Sequence, residues 1–431
     1  MENSKLLIDI QEKPKSIGKW MILSFQHVFA MFGATVLVPL LTGLNVGVAL
    51  VASGIGTLIY IVCTKGKVPV YLGSSFAYIA AIQVARGYDP VTNTFAMGPQ
   101  SAFIGIMVVG IIYAIISTII RFTGSGWLKK LLPPVVIGPM IIIIGLSLAP
   151  TAVSSAGLMA GGDWKSIVIS VATFFAVVGF ALLGKGFIKV VPFLLAILVG
   201  YVLSVVFGVV NLETVFSGRE FFVLPEFQFL GTYKVDFSAV LMFAPLAFVT
   251  IAEHIGDHVV LGEITGRDFL VDPGLDKTIL GDGIATFAAA AIGGPANTTY
   301  GENTGVVALT KVGSVWVTGL AAIFAILLGF FGWIQAFISS IPWAVIGGMT
   351  IILYGLIAAN GVKVLIKDRT DLGKMRNLIV VSTMLVIGLG GAAIRITPQL
   401  SLSGMSLAML VGVLLNQLFN LMDRYKLTQE D

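Results

Sequence analysis

The chain has 431 residues, of which 57% are apolar and only 11% charged, with a formal net charge of +4. A soluble domain carries about 25% charged residues, so this composition excludes an ordinary soluble enzyme. A small positive charge spread over loops is no argument for nucleic acid as a partner. A single cysteine, Cys63, excludes an intramolecular disulfide and a thiolate metal cluster.

Residues 1–19 are polar, with Lys5, Lys13, Lys15 and Lys19, and are not expected to form a cleavable signal peptide. From there, apolar runs of about 20 residues recur to the C-terminal end, the pattern of an all-α polytopic membrane protein embedded in a lipid bilayer. The runs are continuous rather than alternating, which disfavours a β-barrel. Fourteen segments are expected, at 19–42, 45–64, 67–84, 101–121, 132–153, 165–184, 187–211, 238–262, 277–292, 295–312, 314–337, 342–361, 375–394 and 402–422. With both termini cytoplasmic, the outer loops hold only Arg86, Lys165, Arg219, Lys234 and Arg395 of the 26 Lys and Arg residues. That asymmetry is what the positive-inside rule requires, and a miscount by one span would scramble it.

Segments three and ten depart from helical composition. Val68 to Phe76 and Pro295 to Glu302 are rich in Pro, Gly, Ser, Thr and β-branched residues. Broken backbone at membrane depth is tolerated only when buried in protein or lining a polar cavity, and one such element per half points to a transporter binding site. A weak internal repeat agrees. The offset that carries Gln26-His27 onto Glu253-His254 also carries Gly73 onto Tyr300 and Ser75 onto Glu302. Seven spans per unit is an odd number, so the second copy is expected to be inverted. The stretch 212–237, with Pro225, is the expected outer joint between the halves.

Glu253, Asp257 and Glu302 lie within or beside apolar runs, where an acid costs roughly 2.5–3.5 kcal/mol to insert. Glu253 and Asp257 are four apart, so a helix places them on one face, with Gly256 between them allowing close approach. Glu302 precedes Asn303-Thr304-Gly305 at a helix start, where free amides face the cavity. A structural carboxylate or an N-terminal helix acid is the plainer reading of each. In the mirror element, Ser75 and Phe76 offer amides, and the rings of Phe76 and Tyr300 are placed to stack or simply to pack. His27, His254 and His258 are the only histidines, and with Gln26 and Asn303 they are read as supporting residues. Asp282, between Gly281 and Gly283, fits a capping role as well as a functional one. Walker-type phosphate loops are absent, so coupling is expected from an ion gradient, with no cofactor.

Together, the run Gln26 to Thr35, the run Tyr71 to Ala77, the Ala252 to His258 block and Asn297 to Lys311 resemble the nucleobase–ascorbate (nucleobase/cation symporter 2) family. Its signature, an acid or amide followed by Asn-x-Gly and a later Thr, matches Glu302-Asn303-Thr304-Gly305 and Thr310. The resemblance covers essentially the whole chain and is greatest to the bacterial uracil-carrying branch, with Glu at 302 where purine carriers typically have Gln. It implies two inverted seven-span repeats with short β-strands in segments three and ten. Core domain parts would fall at 1–130 and 238–338, and gate domain parts at 131–237 and 339–431. It also implies uracil as substrate, proton symport and a homodimer in a bacterial cell membrane. Uracil would lie between the strands of segments three and ten. Glu253 and Glu302 would accept from the ring N–H groups, and the Phe76 and Gly301 amides would donate to its carbonyls. Glu253 would exchange the coupling proton, with Asp257 modulating it and Glu302 close by. Some uracil members carry His where this chain has Asp257, so the proton path is where the pattern departs.

Other readings are weaker. A membrane metalloenzyme built on His254, Asp257 and His258 lacks the Glu that a zincin pattern needs after its first His, because Ile255 stands there. Anion carriers share inverted seven-span folds, but three acids and no Lys or Arg at depth disfavour an anion. A passive uracil channel would fail to accumulate substrate. A purine or broad nucleobase symporter is the closest alternative.

Overall fold

A computed structural model describes residues 6–425 except 90, 91, 93, 232, 234–236, 398 and 399. Lys5 and Lys234 of the charge pattern above lie outside the described residues. The chain opens with α1 (Ile17–Thr42) and α2 (Val46–Cys63), then strand β1 (Leu72–Ser74), a 3-10 turn at Phe76–Tyr78 and α3 (Ile79–Ala85). A small hairpin of β2 (Tyr88–Asp89) and β3 (Thr94–Phe95) leads to α4 (Gln100–Thr123), α5 (Gly126–Leu131), α6 (Pro134–Ser147), α7 (Ala149–Ser155) and α8 (Trp164–Leu183). There follow α9 (Pro192–Val206) and the short α10 (Leu212–Phe216). The remainder begins with α11 (Phe237–Thr265), α12 (Leu275–Ala291), β4 (Asn297–Thr299), α13 (Gly301–Thr310), α14 (Val315–Gly329) and α15 (Gly332–Ser339). It ends with α16 (Trp343–Lys367), α17 (Met375–Leu389), strands β5 (Ala393–Thr397) and β6 (Leu400–Ser403), and α18 (Gly404–Arg424).

The protein is a mostly helical membrane protein. Among the described residues, eight helices are long and apolar enough to cross a membrane, and shorter apolar helices occur at Phe76–Ala85, Pro192–Val206, Val315–Gly329 and Met375–Leu389. Each expected segment contains a helix, and several starts have a local cause. Ser16, Asn45 and Asp163 accept hydrogen bonds from the amides of Lys19, Val48 and Ser166, capping α1, α2 and α8.

Three expected segments end or break earlier than the hydropathy suggests. Residues 187–211 are interrupted at Val190 and Val191, and helix resumes at Pro192, whose missing N–H suits a first turn. Residues 314–337 break at Phe330 and Phe331. The helix expected over 375–394 ends at Leu389, and its apolar continuation enters the β5–β6 hairpin.

Helices pack in two sets. In one, α12 lies against α4 and α2, α14 against α2 and α1, and α11 against α4; in the other, α16 lies against α6, α7 and α8, α17 against α6 and α18, and α8 against α9. The sets meet where α1 touches α9 and where α11 touches α18. Extended segments fasten both ends of α14. The Leu7 amide donates to the Lys311 carbonyl at 2.7 Å and Val315 to Ile10 at 2.9 Å; at the other end Val223 donates to Phe330 at 2.9 Å and Gly332 to Phe221 at 3.0 Å.

Strands β1 and β4 pair antiparallel, Leu72 opposite Thr299, Gly73 opposite Thr298 and Ser74 opposite Asn297. Polar side chains hold this short ladder in place. Thr57 accepts from the Leu72 amide at 2.9 Å, and the Asn297 amide group donates to the Ala52 carbonyl at 3.0 Å. Gly73 lies directly under the Tyr300 ring, and a Cβ there would collide with that ring and sit 2.8 Å from Thr35 Oγ1. Gly73→Ala is therefore expected to destabilise the protein by about 1–3 kcal/mol, the usual penalty for overpacking. A thermal melt in detergent checks this, and an unchanged melting temperature would contradict the close packing of strand on ring.

Candidate functional site

Each strand of the pair runs straight into a helix start. The Ser75 amide donates to the Ala296 carbonyl at 2.8 Å, and the Tyr300 amide to the Tyr71 carbonyl at 3.1 Å. The next amides, at Phe76 and Gly301, begin helical turns and have no partner within them. Because the strands are antiparallel, the two helix starts approach the strand crossing from opposite directions. Each brings partial positive charge to one small region.

The acids come from the helix beside this crossing and from α13 itself. Glu253 lies near the middle of the 29-residue α11 and is exposed although deep in the fold. Its neighbour Gly256 and the helix-start Gly301 both face open space, with nothing within 4 Å of where a Cβ would stand. Asp257, one turn beyond Glu253, accepts a short hydrogen bond from the Thr299 hydroxyl, tying α11 to β4. Glu302 is half-buried in the first turn of α13 and lines a cavity together with Phe76.

The opposite wall of that cavity comes from the other helix set, through Val191 and Pro192 at the start of α9 and Met349 and Leu353 of α16. Its volume is about 20 Å³, room for about one water. Separation of the two helix sets would widen it.

The supporting residues fall into two groups. Asn303 donates to the His27 carbonyl at 3.0 Å and lies 3.1 Å from His27 Nδ1, locking α13 to α1. Gln26 is half-buried beside His27, its Oε1 without a partner. Ser75 is buried, and its hydroxyl likewise has no partner. His254 and His258 lie on the adjoining face of α11, fully buried, with His254 Nδ1 2.9 Å from Asp282 Oδ2 and His258 bonded to the Tyr60 hydroxyl.

Tyr300 takes a different place from the one its sequence position suggests. It is 3% exposed, its ring covers Gly73, and its hydroxyl donates to the Ser74 carbonyl at 2.9 Å while accepting from Thr35 at 3.3 Å. It braces the strand pair from beneath rather than facing the open space.

Sequence reasoning did not single out Thr299, Thr35 or Tyr60, and it left Asp282 between two roles. Asp282 carried one visible signal, an acid between two glycines inside an apolar run. The other three are ordinary helix or strand residues whose partners arrive from elsewhere in the chain.

The chain matches the family described as "Permease family" (Xan_ur_permease) over residues 18–397. The uracil permease of Bacillus caldolyticus is 46% identical over 418 residues, covering 96% of this chain and 94% of the relative. The uracil permease of Escherichia coli strain K12 is 42% identical over 418 residues, again 96% and 94%. Among solved structures, the murine anion transporter Slc26a9 in its inward-facing state superimposes with a TM-score of 0.70 at 13% identity, over 96% of this chain and 69% of that one. The transmembrane domain of the cyanobacterial bicarbonate transporter BicA gives 0.59 at 14% identity, over 95% and 100%. At such identities the likeness speaks to fold alone.

Proposed function

Because the chain belongs to this permease family, we propose that it imports uracil across the membrane by proton symport, through alternating access. The observation that carries the chemistry is the strand crossing itself, where helix starts at Phe76 and Gly301 lie beside α11, which carries Glu253, and α13 opens with Glu302. Uracil presents two N–H donors and two carbonyl acceptors around a flat ring. The carboxylates accept from the N–H groups and the amides of Phe76 and Gly301 donate to the carbonyls. Hydrogen bonds to an ionised acceptor are about twice as strong as neutral ones.

The architecture we assign is fourteen spans in two inverted seven-span units, with both termini cytoplasmic. The antiparallel strand pair, one strand from each half, supports the inversion. The separate packing of α1–α4 with α11–α14, and of α6–α9 with α16–α18, supports a core and a gate that move against each other. The core holds the ring-binding groups, and the gate supplies the apolar wall of α9 and α16.

Coupling follows from position. Glu253 faces the open space, so its carboxylate exchanges protons with whichever side the cleft opens to. Asp257 beside it is held by Thr299, so a charge change on α11 reaches the strand that positions the ring.

Calorimetric titration of the purified protein tests the substrate assignment. Uracil is expected to bind and xanthine to compete poorly: xanthine offers the same two N–H groups and two carbonyls, but its fused imidazole ring needs room that a site fitted to a pyrimidine lacks. Tighter binding of xanthine would overturn it.

A further inference from the structure

On the buried face of α11 that adjoins Glu253 and Asp257 lies a second polar cluster that the transport reading leaves unused. His254 Nδ1 and Asp282 Oδ2 are 2.9 Å apart, and both side chains have zero exposure. Glycines let the neighbouring helices close over the pair: Gly281 against Tyr60 of α2, and Gly283 against Tyr113 of α4.

The adjoining groups have fixed roles. His258 Nδ1 lies 2.7 Å from the His254 carbonyl, which only accepts, so that nitrogen carries the hydrogen. In the neutral ring, Nε2 then accepts from the Tyr60 hydroxyl. The two imidazoles stack with centroids 4.0 Å apart, an arrangement that disfavours charge on both. Tyr78 and Tyr113 share the Thr250 hydroxyl, each at 2.7 Å. Cys63 lies one turn past Tyr60, and Asp257 and Glu253 occupy neighbouring faces of α11. None of these groups supplies a positive charge to Asp282.

Asp282 Oδ1 and His254 Nε2 have no hydrogen-bond partner. An ionised Asp282 beside a neutral His254 would be a fully buried negative charge with one oxygen unpaired, a costly arrangement. One added proton, as carboxyl O–H or imidazolium N–H, makes the pair neutral in either form. We propose that Asp282 and His254 together hold one proton and form a second proton-binding site of the coupling pathway, separate from the acids that face the ring. The proposal rests on the symport reading. Loss of the proton leaves the pair with one negative charge. It therefore leaves only in a conformation that lets water reach Oδ1 or Nε2, the two unpartnered atoms.

Asp282→Asn keeps the size and a hydrogen bond to His254 but binds no proton. Reconstituted into liposomes, this variant is expected to exchange labelled for unlabelled uracil at the wild-type rate without a gradient. It is expected to lose proton-driven accumulation. Exchange and accumulation falling together would make Asp282 a packing residue and overturn the proposal, as would both remaining intact. Wild-type protein supplies a check that needs no variant. Nitrogen NMR of labelled histidines, with infrared detection of protonated carboxyl groups, is expected to find one proton on the pair. A neutral His254 ring beside an ionised Asp282 would overturn the proposal. If the wild-type protein itself shows no proton-driven accumulation, the symport reading fails, and the spectroscopic count still decides whether the pair holds a proton.

Discussion

Glu302→Gln is expected to weaken uracil binding about 10- to 100-fold while leaving the fold intact. A hydrogen bond to a charged group contributes roughly 1.5–3 kcal/mol, and each 1.4 kcal/mol is about tenfold in affinity. Gln has the same shape but loses the charge, and its NH₂ group competes for the place of an acceptor. The carboxylate also lies in the first turn of α13, where an acid stabilises the helix by about 0.3–1 kcal/mol. The melting temperature should therefore fall only slightly, which separates the binding loss from misfolding. Titration with uracil measures the effect. An unchanged affinity would place Glu302 away from the ring, and the cavity it lines with Phe76 would need another role.

Glu253→Gln is expected to abolish accumulation against a gradient while exchange of uracil persists. The side chain is exposed near the middle of α11, where the proposed site places it between the ring and the protons of the open side. Gln retains a carbonyl acceptor for one N–H but cannot change its charge, so the transport cycle runs without carrying a proton. In the proposed site Glu253 accepts from a ring N–H, so uracil affinity should also drop by about tenfold. That second effect distinguishes it from Asp282→Asn, for which affinity is expected to hold. Gradient-driven uptake in Glu253→Gln would move the coupling proton to another group.

The long apolar helices were legible because hydropathy and glycine, proline and cap positions are local signals. α1, α2, α4, α11 and α18 begin and end within a few residues of where the pattern places them. The broken elements were legible for the same reason. Val68 to Phe76 and Pro295 to Glu302 cannot sustain helix, and they became β1 and β4 with helix starts behind them.

What local pattern could not supply was rotation about a helix axis and contact between distant segments. The Tyr300 ring turns over Gly73 because the opposing strand has no side chain there, a fact of register rather than of sequence spacing. His254 meets Asp282 across two helices, and His258 meets Tyr60 across 198 positions of chain. The fate of residues past Leu389 was hidden too. An apolar, β-branched stretch reads alike as the end of a span or as a strand, and only pairing with β6 decides it.

The most direct test of the account is uptake of labelled uracil into proteoliposomes under an imposed inward proton gradient, with and without a protonophore, and with xanthine in parallel. The account predicts that uracil accumulates above its outside concentration, that the protonophore collapses the accumulation, and that xanthine is not taken up. Equilibration of uracil without accumulation, or uptake of xanthine in its place, would contradict it.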